Sequence, residues 1–183
     1  LKPEIIVCDE ATSALDVSVQ KTIIELLVKL QKENDIAMGF ICHDLALIQS
    51  FAHQVAVMYL GNIVEVLPGE KVGADSKHPY TQALIDSVFD LQMDFSKPIE
   101  SIDSEAPSPL DVPTGCPFQN RCEHCMDICT CAAPEWNEVE PGHYCACHLY
   151  DTPEQRSAAE EILEKDKVSG EFHERQKKEE QVL

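Results

Sequence analysis

The sequence predicts an α/β fold: the C-terminal part of a parallel sheet with helices between its strands, followed by a small cysteine-rich, metal-stapled module. Three observations predict it. The apolar runs Ile5-Ile6-Val7-Cys8 and Ile36 to Cys42 are short and continuous, and each ends in charged residues, as strands buried on both faces of a parallel sheet do. Between them Val19, Ile23, Leu26, Leu27 and Leu30 recur at helical spacing. Seven of the nine cysteines crowd between Cys116 and Cys147, and in a reducing compartment such a cluster points to metal rather than to disulfides.

The elements follow in order. Ile5 to Cys8 is a strand closed by Asp9-Glu10. Asp16 stands where an N-cap belongs, before a helix from Val17 to Lys32. Ile36 to Cys42 leads to His43-Asp44, and Leu45 to Ala52 reads as a second helix. Gln54 to Tyr59 and Ile63 to Val66 are two strands joined through the turn Leu60-Gly61-Asn62. Residues 67–78 are a linker with Pro68, Gly69 and Gly73. Pro79 opens a helix to about Val88, at a position where its missing N–H costs nothing. Residues 90–114 are acidic and proline-rich, and read as irregular connection. Pro153 to Lys165 is a solvated helix, and the remaining tail is too polar to fold.

Composition narrows the function classes. The chain has 183 residues, 44% of them apolar, and a net charge of −19. A surface of that charge repels nucleic acid and the anionic lipid of the cytoplasmic leaflet. No apolar run approaches the ~20 residues that span a bilayer, and Leu1-Lys2-Pro3-Glu4 is no signal peptide. A soluble or peripheral, cytosolic protein is expected. With no initiator Met, the chain reads as cut from a longer parent.

An Asp at the C-terminal end of a buried strand sits where doubly wound sheets bind ligands, and there it can hold Mg²⁺; a neighbouring Glu can polarise an attacking water. Taken alone, Asp9-Glu10 is more often a solvated strand end, and His43 alone a satisfied histidine. In order along the chain they carry more. Asp9-Glu10-Ala11-Thr12-Ser13-Ala14-Leu15-Asp16, with His43-Asp44 after the next strand, resembles the Walker B, D-loop and switch-histidine run of ABC-type ATPases, a P-loop NTPase family.

The resemblance implies that Asp9 binds the Mg²⁺ of MgATP, that Glu10 is the catalytic carboxylate and that His43 contacts the γ-phosphate. Ser13, Ala14, Leu15 and Asp16 would touch a second ATPase subunit, identical or related, across a head-to-tail dimer. Two parts of the family pattern are missing from the 183 residues. No G-x-x-x-x-G-K-[ST] phosphate cradle occurs, nor the glycine-rich signature that closes the partner's site. Both normally precede the Asp9 strand. The chain alone is expected to be inactive, and residues 1–66 to be unstable by themselves. Cys8 and Cys42 read as core packing.

His78-Pro79-Tyr80-Thr81 resembles the segment of that kind in oligopeptide and dipeptide importer ATPases; on its residues alone it is a proline-initiated surface helix. Gly115-Cys116-Pro117-Phe118, Arg121-Cys122, Met126-Asp127-Ile128-Cys129 and Cys147-His148-Leu149 resemble the C-terminal extension of the same importers. The resemblance implies Cys116, Cys122, Cys129 and Cys147 as ligands of a [4Fe–4S] cluster. Soft thiolates suit zinc as well, and a module of this size gains from a metal staple. Cys122-x-x-Cys125 with Cys145-x-Cys147 is a zinc site on spacing alone, so both remain open. His124, His143 and His148 are taken as surface residues.

Four segments follow: 1–66, the C-terminal part of an ABC ATPase domain; 67–114, a linker and the family helix; 115–149, the cysteine-rich module; 150–183, a polar tail. The implied function is the energy-coupling subunit of a di- or oligopeptide importer. It would be peripheral on the cytoplasmic face of the membrane, working with permease subunits and an extracytoplasmic peptide-binding protein, with nickel import as an alternative substrate class. The rival of another class is a non-enzymatic metal-binding interaction module.

Overall fold

A computed structural model describes residues 2–87 and 113–165. The connection expected at 90–114 lies outside the described residues up to position 112, as does the end of the helix expected to reach Val88 and the tail beyond 165. The chain divides into two compact units, Leu1–His53 and Gln54–Leu183.

In the first unit, strand β1 (Ile5–Asp9) pairs in parallel with β2 (Ala37–Ile41), with Asp9 opposite Ile41. Helix α1 (Val17–Asn34) makes the crossover. Asp16 caps it, its side chain accepting from Val19 N at 3.0 Å and from Ser18 Oγ at 2.7 Å. The helix closes on Asp35 in the left-handed region, φ +52°, with the Asp35 N–H bonded to the Gln31 carbonyl. Helix α2 (Leu45–Gln49) starts at Asp44, which accepts from Leu47 N at 3.0 Å. It stops earlier than the expected Ala52 because Ser50 turns its N–H and hydroxyl back onto the Leu47 carbonyl.

The apolar core of this unit is thin, with Cys8, Ile24, Ile36 and Ile48 buried, while Ile5, Val7 and Ile41 are 67%, 67% and 54% exposed. Two strands and so few buried side chains do not offset the conformational entropy of ordering fifty residues. A urea titration of the chain should therefore show residues 2–53 losing structure before the second unit, followed by backbone amide exchange resolved along the chain. A single transition common to both units would contradict this.

The second unit corrects the expected sheet. Strands β3 (Gln54–Tyr59) and β4 (Asn62–Pro68) form the hairpin read from the sequence. Its turn puts Leu60 at φ +46° and Gly61 at φ +78°, the backbone that a two-residue hairpin turn demands. The hairpin does not extend the parallel sheet, however. It continues into a four-stranded antiparallel sheet of order β3-β4-β6-β5, with β5 (Trp136–Glu140) and β6 (His143–Ala146) from the cysteine-rich segment. The physical reason is that β4 buries both faces, Val64 at 3% exposure on one and Glu65 and Leu67 at 0% on the other, and β6 supplies the matching partners.

Helix α3 (Pro79–Asp86) follows a short packed segment in which Val72, Ser76 and His78 are buried, so residues 67–78 are not a loose linker. Helix α4 (Ile128–Cys131) lies in the cysteine-rich segment. Residues 153–165 are helical as expected. This helix, α5, begins with a reciprocal capping box: Thr152 N donates to Gln155 Oε1 at 2.7 Å and Gln155 N to Thr152 Oγ1 at 3.3 Å. Among the described residues no helix is long and apolar enough to cross a membrane.

Candidate functional site

The end of β1 and the loop after β2 bring Glu10 and His43 together. Glu10 N donates to the Ile41 carbonyl at 2.9 Å, extending the β1–β2 ladder by one bond. Glu10 itself sits at φ +45°, a left-handed conformation that costs a non-glycine residue about 1 kcal/mol or more and collects at functional sites. Ser13 steadies it by donating both its N–H and its hydroxyl to the Glu10 carbonyl, at 3.1 and 3.0 Å. The result places Glu10 Oε1 3.7 Å from His43 Nδ1, an ion-pair distance rather than a hydrogen bond. The two side chains are 59% and 78% exposed, so the pair lies open to a ligand at the carboxyl end of the strands.

Asp9, the last residue of β1, is exposed at the same end. Thr12 is buried and accepts from Gln20 Nε2 at 3.3 Å, which anchors the loop and leaves Ser13, Ala14, Leu15 and Asp16 exposed. Cys8 is buried as expected, whereas Cys42 is only partly so and donates to the Asp44 carbonyl at 3.5 Å.

In the second unit the His78-Pro79-Tyr80-Thr81 segment has a structural role that periodicity could not show. His78 caps α3, its Nδ1 accepting from Tyr80 N at 3.1 Å, and Pro79 takes the first turn. The Tyr80 ring lies 4.6 Å from Tyr59 and 5.3 Å from Phe118, and Phe118 stands edge-on to Tyr59 at 5.2 Å. Phe118, only 2% exposed, thus anchors the cysteine-rich segment against α3 and the β3–β4 hairpin.

His78 is 1% exposed, and burial pushes its imidazole down to about 4, against a weaker opposing pull from Glu65. The folded chain keeps it neutral where the unfolded chain, with a value near 6.5, takes up a proton. The stability linked to it is therefore complete above about pH 6.5 and is lost as pH falls toward 4, by roughly 3 kcal/mol over that window. Urea midpoints of the second unit should fall across this range and flatten in His78→Asn; an unchanged slope in the variant would contradict the assignment.

Two histidines taken as surface residues are buried instead. His143 is 0% exposed and its Nε2 lies 2.7 Å from Glu65 Oε1, also at 0% exposure. Glu65 stands opposite Cys145 in the β4–β6 register, and His143, two residues before Cys145, is its diagonal neighbour on the same face. Glu65 Oε1 also accepts from Lys77 N at 2.6 Å. His148 is 7% exposed, with Nδ1 2.7 Å from Asp151 Oδ2 and Nε2 3.0 Å from the Ala132 carbonyl. Both were missed because their partners are a strand away or follow a chain reversal. Nearer the surface, Lys71 and Lys77 hold Glu140 at 2.6 and 3.0 Å and draw its carboxyl down to about 2.

The thiols of Cys116, Cys122, Cys129 and Cys147 gather in one place: each of the four lies within electrostatic reach of the other three. Cys116 N donates to the Cys129 carbonyl at 2.8 Å, and Cys116, Cys129 and Cys147 are 7%, 7% and 8% exposed. Burial pushes Cys116 up to about 11 and Cys147 up to about 12, and raises Cys122 and Cys129 too. The donors are soft and clustered, as a thiolate-bound group requires. Their side chains are not turned to enclose an ion, however: among the described residues no three His, Cys, Asp or Glu groups are arranged to hold a metal. The four fit such a group in chemistry, and binding it would require them to reorient and give up their protons. Cys145, fully buried, lies near Glu65, Cys147 and Cys116.

The parallel strand pair thus presents Asp9, Glu10 and His43 at one end of its two strands. Residues 64–129 match the family described as oligopeptide/dipeptide transporter, C-terminal region. The chain is 40% identical over 158 residues to the putative oligopeptide transport ATP-binding protein YkfD of Bacillus subtilis, covering 85% of this chain and 48% of that protein. It is 44% identical over 149 residues to the probable peptide ABC transporter ATP-binding protein y4tS of Sinorhizobium fredii, covering 81% and 42%. The oligopeptide transport ATP-binding protein OppF of Haemophilus influenzae is 40% identical over 149 residues, covering 80% and 45%. The chain thus corresponds to the C-terminal part of these ATP-binding proteins, and it spans less than half the length of each.

Proposed function

We propose that this chain supplies the water-activating half of the ATP site in an energy-coupling subunit of a peptide importer. The observation that carries the reading is the juxtaposition of Glu10 and His43, 3.7 Å apart at the carboxyl end of parallel strands. Phosphoryl transfer needs little beyond positioning and charge neutralisation. Asp9 holds Mg²⁺, Glu10 orients and polarises the attacking water, and His43 contacts the γ-phosphate. The exposed Ser13 to Asp16 loop faces a second ATPase subunit. Mg²⁺ and ATP are the cofactors, and membrane permease subunits and an extracytoplasmic binding protein complete the importer at the cytoplasmic face. Di- and oligopeptides are the substrate class, carried by the names of the relatives.

A phosphate cradle is required for turnover and none occurs in these 183 residues, so the isolated chain is inactive. The test joins it behind the P-loop-bearing half of one of these relatives and assembles the hybrid with that relative's permeases. MgATP hydrolysis by the hybrid is the expected result. A folded hybrid that binds ATP without turning it over would count against the reading.

Cys116, Cys122, Cys129 and Cys147 are the residues that would hold a [4Fe–4S] cluster, or zinc in its place. Either group would staple a segment whose own core is small. Iron, sulfide and zinc analysis of anaerobically purified protein separates the two, and protein free of all three would remove the group from the account.

A further inference from the structure

The loop from β1 to α1 is anchored at one point. From Asp9 to Thr22 every residue is exposed except Thr12, at 2% exposure, and the half-buried Gln20. Thr12 belongs to two successive turns. It is the third residue of the turn that Ser13 N closes on the Glu10 carbonyl at 3.1 Å. It is also the first residue of the turn that Leu15 N closes on the Thr12 carbonyl at 3.1 Å. Gln20 is fixed in the first turn of α1, its N–H on the Asp16 carbonyl at 2.9 Å. From there its side chain reaches back along the chain, and Nε2 donates to Thr12 Oγ1 at 3.3 Å.

This anchor bears on the site because Glu10 opens the first of those turns. Glu10 has a left-handed backbone, φ +45°, and such a conformation persists only where its surroundings over-determine it. Ser13 holds the Glu10 carbonyl from within the turn. Gln20 ties the same turn to a regular element.

We propose that Gln20 is a positioning residue for Glu10: acting through Thr12, its amide holds the turn that keeps the Glu10 carboxylate beside His43. This role rests on the water-activating reading above; the tie between Gln20 and Thr12 does not. When the tie is cut, the Glu10 backbone relaxes out of the left-handed region and its carboxylate spends less time in the productive position. Misplacing a reacting group by about 1 Å costs on the order of a hundredfold in rate, and loosening one turn costs less.

The test uses the hybrid subunit assembled with its permeases. Gln20→Met and Thr12→Val cut the tie from its two ends while keeping side-chain size. Each should lower kcat about tenfold and leave KM for MgATP unchanged. Thr12→Ser keeps the hydroxyl and should retain most of the turnover. The double variant should lose no more than either single one. In a Glu10→Gln background Gln20→Met should cost nothing further, because the group it positions is gone. Turnover of Gln20→Met within about twofold of the unmodified hybrid would overturn the proposal. So would losses that multiply in the double variant, or an equal loss with and without Glu10.

A second arm follows backbone amide exchange in the full chain. The Ser13 and Leu15 amides should exchange several-fold faster in Gln20→Met, while the Ile24 amide inside α1 keeps its rate. Unchanged exchange at Ser13 and Leu15, or faster exchange along the whole of α1, would overturn the tie. If Glu10→Gln leaves turnover intact, the water-activating reading fails and the catalytic part of this role fails with it, while the exchange arm still decides the tie.

Discussion

Gly115→Ala is expected to dismantle the cysteine-rich segment. A Cβ at this position would sit 2.1 Å from the Cys129 carbonyl oxygen and 2.8 and 2.9 Å from the carbonyl carbons of Cys129 and Thr130. All three atoms are backbone, so no rotamer change relieves the contact. Either the 113–118 strand of chain or α4 must move, and the Cys116 N to Cys129 carbonyl bond, now 2.8 Å, breaks with it. Overpacking typically costs about 1–3 kcal/mol, and a clash against fixed backbone sits at the upper end of that range. Two readouts check it: the urea midpoint of the second unit should drop, and Cys116 and Cys129, each only 7% exposed, should become reactive to a thiol reagent. Wild-type stability with slow thiols would show that the glycine is not a close-approach residue.

Glu65→Ala should be at least as damaging, for an electrostatic reason. Glu65 Oε1 serves two donors in a fully buried site, His143 Nε2 at 2.7 Å and Lys77 N at 2.6 Å. Alanine leaves both without an acceptor. Breaking a buried pair from one side costs roughly 3–5 kcal/mol, whereas an isosteric group that keeps an acceptor oxygen costs much less. Glu65→Gln should therefore recover more than half of the loss in the same titration. Equal destabilisation by Ala and Gln would mean that shape, not the hydrogen bonds, decides the site. Because Glu65 is on β4, His143 on β6 and Lys77 just before α3, this carboxylate ties the hairpin to both later elements.

The front of the chain was legible because its information is local. Continuous apolar runs placed β1 and β2, and a helical apolar period placed α1, within a residue or two, and Asp16 marked its helix as a cap does. The acidic pair and His43 could be brought to one sheet edge on paper because parallel strands present their carboxyl ends together. The antiparallel sheet was less legible. Nothing local says that Val64 to Leu67 pairs with a segment some eighty residues on, and β5 and β6 are short, with a register shift between Glu138 and Glu140. Their one clear signal, Pro141-Gly142 between Trp136–Glu140 and His143–Ala146, marks a hairpin turn with Gly142 at φ +73°.

Burial of His143 was hidden for the same reason. A histidine reads as a surface residue until its carboxylate is known, and Glu65 lies 78 positions away. The four thiols were picked out by their pattern, yet pattern carries no side-chain direction, and the structure gathers them without closing a ligand shell.

The account stands on Glu10 acting on water beside His43. The most direct measurement is steady-state ATP hydrolysis by the assembled hybrid subunit carrying Glu10→Gln, with MgATP affinity determined on the same sample. Replacing a general base costs about a hundredfold or more in turnover. The account predicts a loss of that size with ATP affinity unchanged, since the glutamine keeps the shape at the end of β1 and removes only the charge. Turnover within twofold of the unmodified subunit would contradict it.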